Sequence, residues 1–408
     1  MCESLFYIGR NTDENIVKQS SSGGIMSVVA EWIFKRGGIV FGASYVEGCN
    51  KVEHIKVEQF EELYRLRKSI YVWSDYKVCL DEMKKQLEDK KNVLFIGTPC
   101  QCLVVNHRFS MFTNLFLLDF FCHGALETKY LSDYIDSINE PIKKVDFREE
   151  SRLVKDNFVF SVVDYEQNEI IHDDYNNNVL TNLFVSSAGL RRTCFNCSIC
   201  TKKHVSNITI GDVQFDSMAL RHGFNKYHLS IIAVNDEKGK KIMEESNEDI
   251  DLAKLDSRDK EEIEFYYQPH KNSGMSWEYD WELRCWFEDT YNECGFEEAA
   301  YRCMHIADLK LLEQSKLIVK GKNVYLYGCG KKGRIFKELI DKYFSYWNLV
   351  GYIVTNRSEN VVNGLNVYQF DQLEIDFKRD FIIVSIEKKE EIYPILEIAG
   401  LKKGVDFI

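Results

Sequence analysis

Cys194-Phe195-Asn196-Cys197-Ser198-Ile199-Cys200 places three thiols three residues apart, and two further cysteines stand in Thr98-Pro99-Cys100-Gln101 and Cys122-His123-Gly124. Thiolates at this spacing hold soft metal centres, of which iron–sulfur clusters and zinc are the usual ones. The run has no fourth cysteine three residues on and no proline after it, so a fourth ligand has to come from elsewhere. Cys100 and Cys122 are the candidates, because each follows an apolar stretch that reads as a strand. His204, four residues past Cys200, keeps a three-cysteine, one-histidine zinc site open. Plain buried thiols are the third reading.

Other residues carry weaker signals. Ser20-Ser21-Ser22-Gly23-Gly24 precedes a helical pattern. Small residues there let backbone N–H groups approach a phosphate at a helix start, although the same residues also serve as simple caps. Gly328-Cys329-Gly330-Lys331-Lys332-Gly333 follows a strand pattern and opens a helix, the context of a dinucleotide fingerprint. The acidic residue expected at the end of the next strand is replaced by Thr355-Asn356-Arg357. Arg357 could instead meet a phosphate. Asp119, His123, Asp212 and His204 lie near the cysteine loops in sequence, and His123 is the candidate acid. No nucleophile elbow supports a serine hydrolase.

These groups must be positioned by elements that the patterning supplies. Ile25, Val28, Val29, Trp32 and Ile33 have helical spacing, stopped by Gly37-Gly38. GIVFGASY, NVLFIG and LFLLDFFC are buried-strand runs, the last two each leading into a cysteine loop. Two such loops suggest one site at the carboxyl edge of a sheet. FEELYRLRKSI and DYKVCLDEMKKQLEDKK read as helices, the stretch from Lys143 to Asp174 as an antiparallel hairpin, and Asn176 to Leu190 as helical. ITIGD and HLSIIAVND read as strands, Lys238 to Lys260 as helix, and about 262 to 318 as helix-rich. From Asn323 a strand–turn–helix pattern begins a small Rossmann-like unit. The expected architecture is an α/β (α+β) N-terminal domain over 1–260, a helical connector over 261–320 and a Rossmann-like α/β domain over 321–408.

The chain has 408 residues, 13 cysteines and a net charge of −12. That charge argues against nucleic-acid binding. No run of about 18 apolar residues suggests a membrane span, and the polar N-terminus shows no signal peptide. The thiols therefore point to metal or redox use in a cytoplasmic protein rather than disulfides. Cys79, Cys285, Cys294 and Cys303 read as plain buried thiols.

Together, SSSGGIMSVVAEWIFKRGGIVFGASY, RLRKSIYVWSD, VLFIGTPCQC, LDFFCHG, VDFRE and LRRTCFNCSIC followed by ITIGD resemble the beta-subunit family of coenzyme F420 hydrogenases and dehydrogenases over about residues 5–300. The resemblance implies a flavoprotein with FAD and a 4Fe-4S cluster, working with coenzyme F420 or another hydride donor. Carried over, the cluster ligands are Cys100, Cys122, Cys194 and Cys197, with Cys200 a non-ligand. Ser22, Gly23 and Gly24 and the segment Ser69, Tyr71 and Ser74, with Thr98, would form the flavin site, and Gly328, Gly330 and Gly333 a second nucleotide turn. Relatives read Gly-Ser-Lys-Tyr where this chain has Lys68-Ser69-Ile70-Tyr71, and Phe-Trp-Gly where it has Val213-Gln214-Phe215. Relatives often carry a preceding ferredoxin domain; the electron partner expected here is a separate protein such as ferredoxin, and the substrate a small or sugar-linked molecule. The C-terminal module resembles those of surface-polysaccharide proteins, which leaves a non-redox binding or modifying role as the alternative.

Overall fold

The computed structural model describes residues 4–150, 158–174, 177–199, 204–213, 216–224, 228–266, 277–356, 359–376 and 378–408. Cys200, Gln214, Phe215 and Arg357 lie outside them. The chain folds as two compact units, Met1–Met304 and His305–Ile408.

The first unit is built on eight strands: β1 (Leu5–Asn11), β2 (Ile39–Val46), β3 (Lys51–Val57), β4 (Val93–Ile96), β5 (Leu115–Phe120) and, beyond a separate small sheet, β9 (Ile208–Asp212), β10 (Ser230–Val234) and β11 (Ile250–Lys254). Their order is β11-β1-β10-β9-β5-β4-β2-β3. β9, β5, β4 and β2 are mutually parallel, and antiparallel strands flank them. The parallel centre explains the unbroken apolar runs, since both faces are covered. Leu94, Ile96, Phe116 and Leu118 face the helix Ile25–Phe34, while Val93, Phe95, Leu115 and Leu117 face the helices Leu80–Glu88 and Pro99–Phe109. Each fully buried side chain of this kind contributes roughly 1.5–3 kcal/mol, so the sheet centre is a rigid base for the loops at its carboxyl edge.

The separate sheet has β6 (Ile142–Glu150), β7 (Phe158–Asp164) and β8 (Glu169–Asp174) in sequence order. It has three strands where the alternation predicts a hairpin. Three other expectations change. The segment Phe60–Leu66 forms 3-10 turns rather than an α-helix. The Lys238–Lys260 stretch is interrupted by the edge strand β11, between the helices Glu237–Glu245 and Ser257–Tyr266. Finally, Cys285 is half-buried and Cys294, the last residue of the helix Trp277–Cys294, is exposed, so only Cys79 and Cys303 of the four are core thiols.

The second unit holds β12 (Asn323–Tyr327), β13 (Asn348–Val354), β14 (Val361–Val362), β15 (Leu365–Gln369) and β16 (Asp380–Val384), in the order β14-β15-β13-β12-β16. All but β14 run parallel. Gly328, at positive φ, turns the chain from β12 toward the helix Lys331–Tyr343. A Cβ at Gly333 would stand 2.0 Å from the Gly328 carbonyl oxygen, so helix and turn meet at backbone contact. Among the described residues, no helix is long and apolar enough to cross a membrane.

Candidate functional site

The carboxyl ends of β4, β5 and β9 supply the site. After β4, Thr98 caps the helix Pro99–Phe109. Gln101, buried in its first turn, accepts from the Thr98 N–H (2.9 Å) and donates to the Ser74 carbonyl (3.0 Å) and Ser74 Oγ (3.1 Å). This one amide therefore fixes the cysteine loop to the Ser69–Ser74 segment. That segment is further knitted to the loop after β5: Leu126 N–H donates to the Tyr71 carbonyl (2.8 Å), and Trp73 N–H donates to the Leu126 carbonyl (3.0 Å). Leu126 also bridges to Leu190, and Arg191 N–H donates to the Ala125 carbonyl (2.9 Å). An isolated bridge and a backbone hydrogen bond thus hold the chain leading into Cys194 against the Cys122 loop. From outside, Arg284 donates to the Leu190 carbonyl and pairs with Glu288, which also binds Arg192.

The result is a small cavity lined by Cys100, Cys122, Cys194 and Cys197 together with Trp73, Thr98, Pro99, His123, Gly124 and Ala125. All four thiols named from the sequence meet there. Gly124, at positive φ, donates its N–H to the Cys122 sulfur (3.4 Å), and a Cβ at that position would stand 2.9 Å from Leu190. Thr98 Oγ1 lies 3.2 Å from the Cys100 sulfur. Burial pushes the Cys194 thiol up to about 12, reinforced by the charge of Cys122. Burial also pushes Cys100 up, against the Thr98 hydrogen bond. Such thiols become thiolates only around a cation that repays desolvation and mutual repulsion. The donor set therefore fits a metal centre. Among the described residues, no three of the four sulfurs all lie within 4.8 Å of one another, whereas ligand atoms of Glu149, Glu169 and His172 do. Cys102, in the same helix as Cys100, is a different case. It is fully buried, with its sulfur against the Gly97 and Leu118 carbonyls, and belongs to the core.

A second cavity, of about 490 Å³, adjoins the first. Trp73, Thr98, Cys122, His123, Gly124 and Ala125 line both. Its wall includes Ser22, Gly24, Ser69, Tyr71, Ser74 and Thr98, all expected from the sequence. Gly23 is not in the lining. It backs the loop instead: its N–H donates to Ser230 Oγ (3.0 Å), and a Cβ would stand 2.6 Å from the Gly9 carbonyl oxygen. Tyr71 stacks on Phe184 with ring centroids 4.3 Å apart. The Arg191 guanidinium lies 3.7 Å from the Trp73 ring centre. Arg148, from β6, and Asp212, at the end of β9, line this cavity as an ion pair. Asp119 and His204 pair with each other (2.8 Å), and Asp119 also accepts from Thr209.

Sequence reasoning did not single out Gln101 or His54. Buried His54 stacks on Phe95 (4.7 Å) and donates from Nε2 to the Ile96 carbonyl (3.0 Å), steadying the end of β4. Gln101 had a signal, its place in the first turn of a helix capped by threonine; His54 had none.

In the second unit, a Cβ at Gly330 would meet nothing within 4 Å, whereas Gly328 and Gly333 are closely packed. Thr355, at the place of the missing acid, shares a hydrogen bond with Tyr327 (2.9 Å).

Residues 90–258 match the family described as coenzyme F420 hydrogenase/dehydrogenase, C terminus of the beta subunit. The matched stretch contains all four cysteines and His123, and excludes the serine loop and the Ser69–Ser74 segment. Among solved structures, the chain is similar to one in the xenon-derivatized F420-reducing NiFe hydrogenase complex from Methanosarcina barkeri. The identity is 16%, covering 71% of this chain and 91% of that one, with a TM-score of 0.43. No curated protein sequence matches the chain. The stretch similar to the coenzyme F420 hydrogenase/dehydrogenase beta subunit, residues 90–258, is the one that brings the four cysteines together.

Proposed function

We propose that the protein is a flavin- and 4Fe-4S-dependent oxidoreductase that passes electrons between a hydride donor or ferredoxin and a small or sugar-linked substrate. The observation that carries this reading is the shared wall: a four-thiol cavity and a cavity of about 490 Å³ have six lining residues in common, Cys122 among them. That volume lies within the range of cofactor pockets. A flavin exchanges two electrons with a hydride donor and one with a cluster, and that chemistry belongs to the cofactors. The chain's own residues place them. Cys100, Cys122, Cys194 and Cys197 would hold the cluster. Ser22, Gly24, Ser69, Tyr71, Ser74 and Thr98 would cradle the flavin, with Gly23 supporting the loop from behind. His123, in the shared wall, is positioned to exchange a proton with a ligand of the larger cavity. That no three of the sulfurs, among the described residues, lie within 4.8 Å of one another favours a cluster over zinc, because bonds of about 2.3 Å to one zinc would draw all four to roughly 3.8 Å from one another.

The hydride donor, coenzyme F420 or another, would enter the same cavity beside the flavin, and a separate protein such as ferredoxin would meet the cluster. Anaerobic reconstitution with iron, sulfide and FAD, followed by a visible spectrum and metal assay, tests the reading. About four iron and one flavin per chain are expected. Equimolar zinc without labile sulfide, or protein that stays colourless, would contradict it.

A further inference from the structure

Asp119 is the one polar residue in the apolar run of β5, and it is fully buried. A carboxylate at such depth is costly unless its oxygens are partnered. Here both are. Oδ1 accepts from Thr209 Oγ1 (2.6 Å), directly across the parallel ladder on β9, and Oδ2 lies 2.8 Å from His204 Nδ1. Thr209 Oγ1 in turn accepts from the Asn235 amide (2.9 Å), which also donates to the Ser206 carbonyl (3.1 Å). Asn207 extends the seam: its side chain accepts from the Leu117 N–H (2.7 Å), and its own N–H donates to the Leu117 carbonyl (2.9 Å). Buried polar groups therefore fasten His204 and the start of β9 to the end of β5.

This seam joins two cysteine segments. Asp119 stands three residues before Cys122, and His204 seven residues after Cys197. On the other side, Arg191, three residues before Cys194, donates its N–H to the carbonyl of Ala125, three residues after Cys122. The Cys194–Cys197 segment is thus tied to the Cys122 segment at both ends, by a backbone bond at one and a side-chain pair at the other. The described lining of the four-thiol cavity does not include His204. Its ring stands beside Phe121 instead, with centroids 6.1 Å apart, and Phe121 lines the larger cavity.

We propose that Asp119 and His204 form a latch that holds the two cysteine segments together for metal binding, with His204 a positioning residue and not a metal ligand. The inference rests on the four-thiol reading above. A segment fixed before the metal arrives loses less freedom when it binds, and removing either partner leaves the other buried and uncompensated.

The test follows D119A, D119N, H204A and H204N in the full-length chain, each checked for folding by a thermal melt. In the metal-free protein, alkylation of every cysteine is timed by peptide mass spectrometry, with the core thiols Cys79 and Cys303 as internal controls. In D119A and H204A, Cys194 and Cys197 are expected to react roughly tenfold faster than in the native chain, while the controls stay protected. H204N, whose amide N–H takes the place of the ring Nδ1–H, should behave like the native chain, and D119N should fall between. After anaerobic reconstitution with iron and sulfide, a chelator should strip D119A and H204A roughly tenfold faster, with the spectra of the remaining cluster unchanged. Native rates of alkylation and iron loss in both variants overturn the inference. So does an altered cluster spectrum in H204A, which would make His204 a ligand, and so does equal acceleration at Cys79 and Cys303, which would mean general loosening. Should D119A fail to fold, H204A against H204N carries the comparison. If the native chain takes up no iron and sulfide, the cluster reading fails, and the alkylation rates alone decide the latch.

Discussion

After β4 the chain turns through Gly97 and Thr98 into the helix Pro99–Phe109; after β12 it turns through Gly328 and Gly330 into the helix Lys331–Tyr343. Both turns lie at the carboxyl edge of parallel strands. The first has neighbours that bring chemistry from elsewhere: Cys122 after β5, Cys194 from the short helix Arg192–Phe195 and Cys197 just past it, and the Ser69–Ser74 segment clamped by Gln101. The second is closed largely upon itself, with Gly333 against the Gly328 carbonyl and Gly328 against Ile386. The hydroxyl of Thr355 is spent on Tyr327. A glycine turn secures close backbone packing; a site forms only where other strands deliver functional groups to it.

Removing what the first turn collects should have the largest effect. Serine at Cys100, Cys122, Cys194 or Cys197 is expected to abolish stable iron incorporation, measured by iron and sulfide assay. Serine at Cys102, in the same helix but in the core, should keep iron while lowering thermal stability. Iron retained in all four ligand variants would break the comparison.

The same edge predicts a pH dependence. Burial lowers His54 to about 4, against the pull of its Ile96 hydrogen bond, and its Nδ1 is buried without a partner. The unfolded chain takes up this proton near pH 6.5, while the folded chain resists until about pH 4. Stability from His54 is therefore complete above pH 6.5 and falls as pH drops toward 4, by about 3 kcal/mol. His54→Phe should flatten that slope in urea melts at pH 7 and pH 4.5; an unchanged slope counts against it.

At the second turn, Gly333→Ala should cost roughly 1–3 kcal/mol through overpacking, and Gly330→Ala no more than about 0.5 kcal/mol, read as shifts in the unfolding of that unit. Equal effects would show that the turn is not closed by Gly333. Gln101→Ala is the finer probe of the first turn. Losing its buried hydrogen bonds should cost roughly 1–3 kcal/mol and weaken flavin retention while iron content holds.

The cysteines were legible in the sequence because thiol chemistry resides in the residue type and its spacing. The parallel strands were legible because burial on both faces leaves continuous apolar runs. β11 was not, since among its five residues only Ile250 is buried and the rest carry charge or partial exposure like the helices around it. Roles that come from distant partners were equally hidden: His54 meets Ile96, and Arg284 meets Leu190, across 42 and 94 residues.

The most direct test of the shared wall is anaerobic reduction of the reconstituted protein through its flavin, followed by both visible and electron paramagnetic resonance spectra. The account predicts that the signal of a reduced cluster grows as the flavin bleaches, and that it is lost in the Cys122→Ser variant. A flavin that is fully reduced beside a cluster that stays oxidised, although a soluble one-electron reductant can reduce it, would contradict the account.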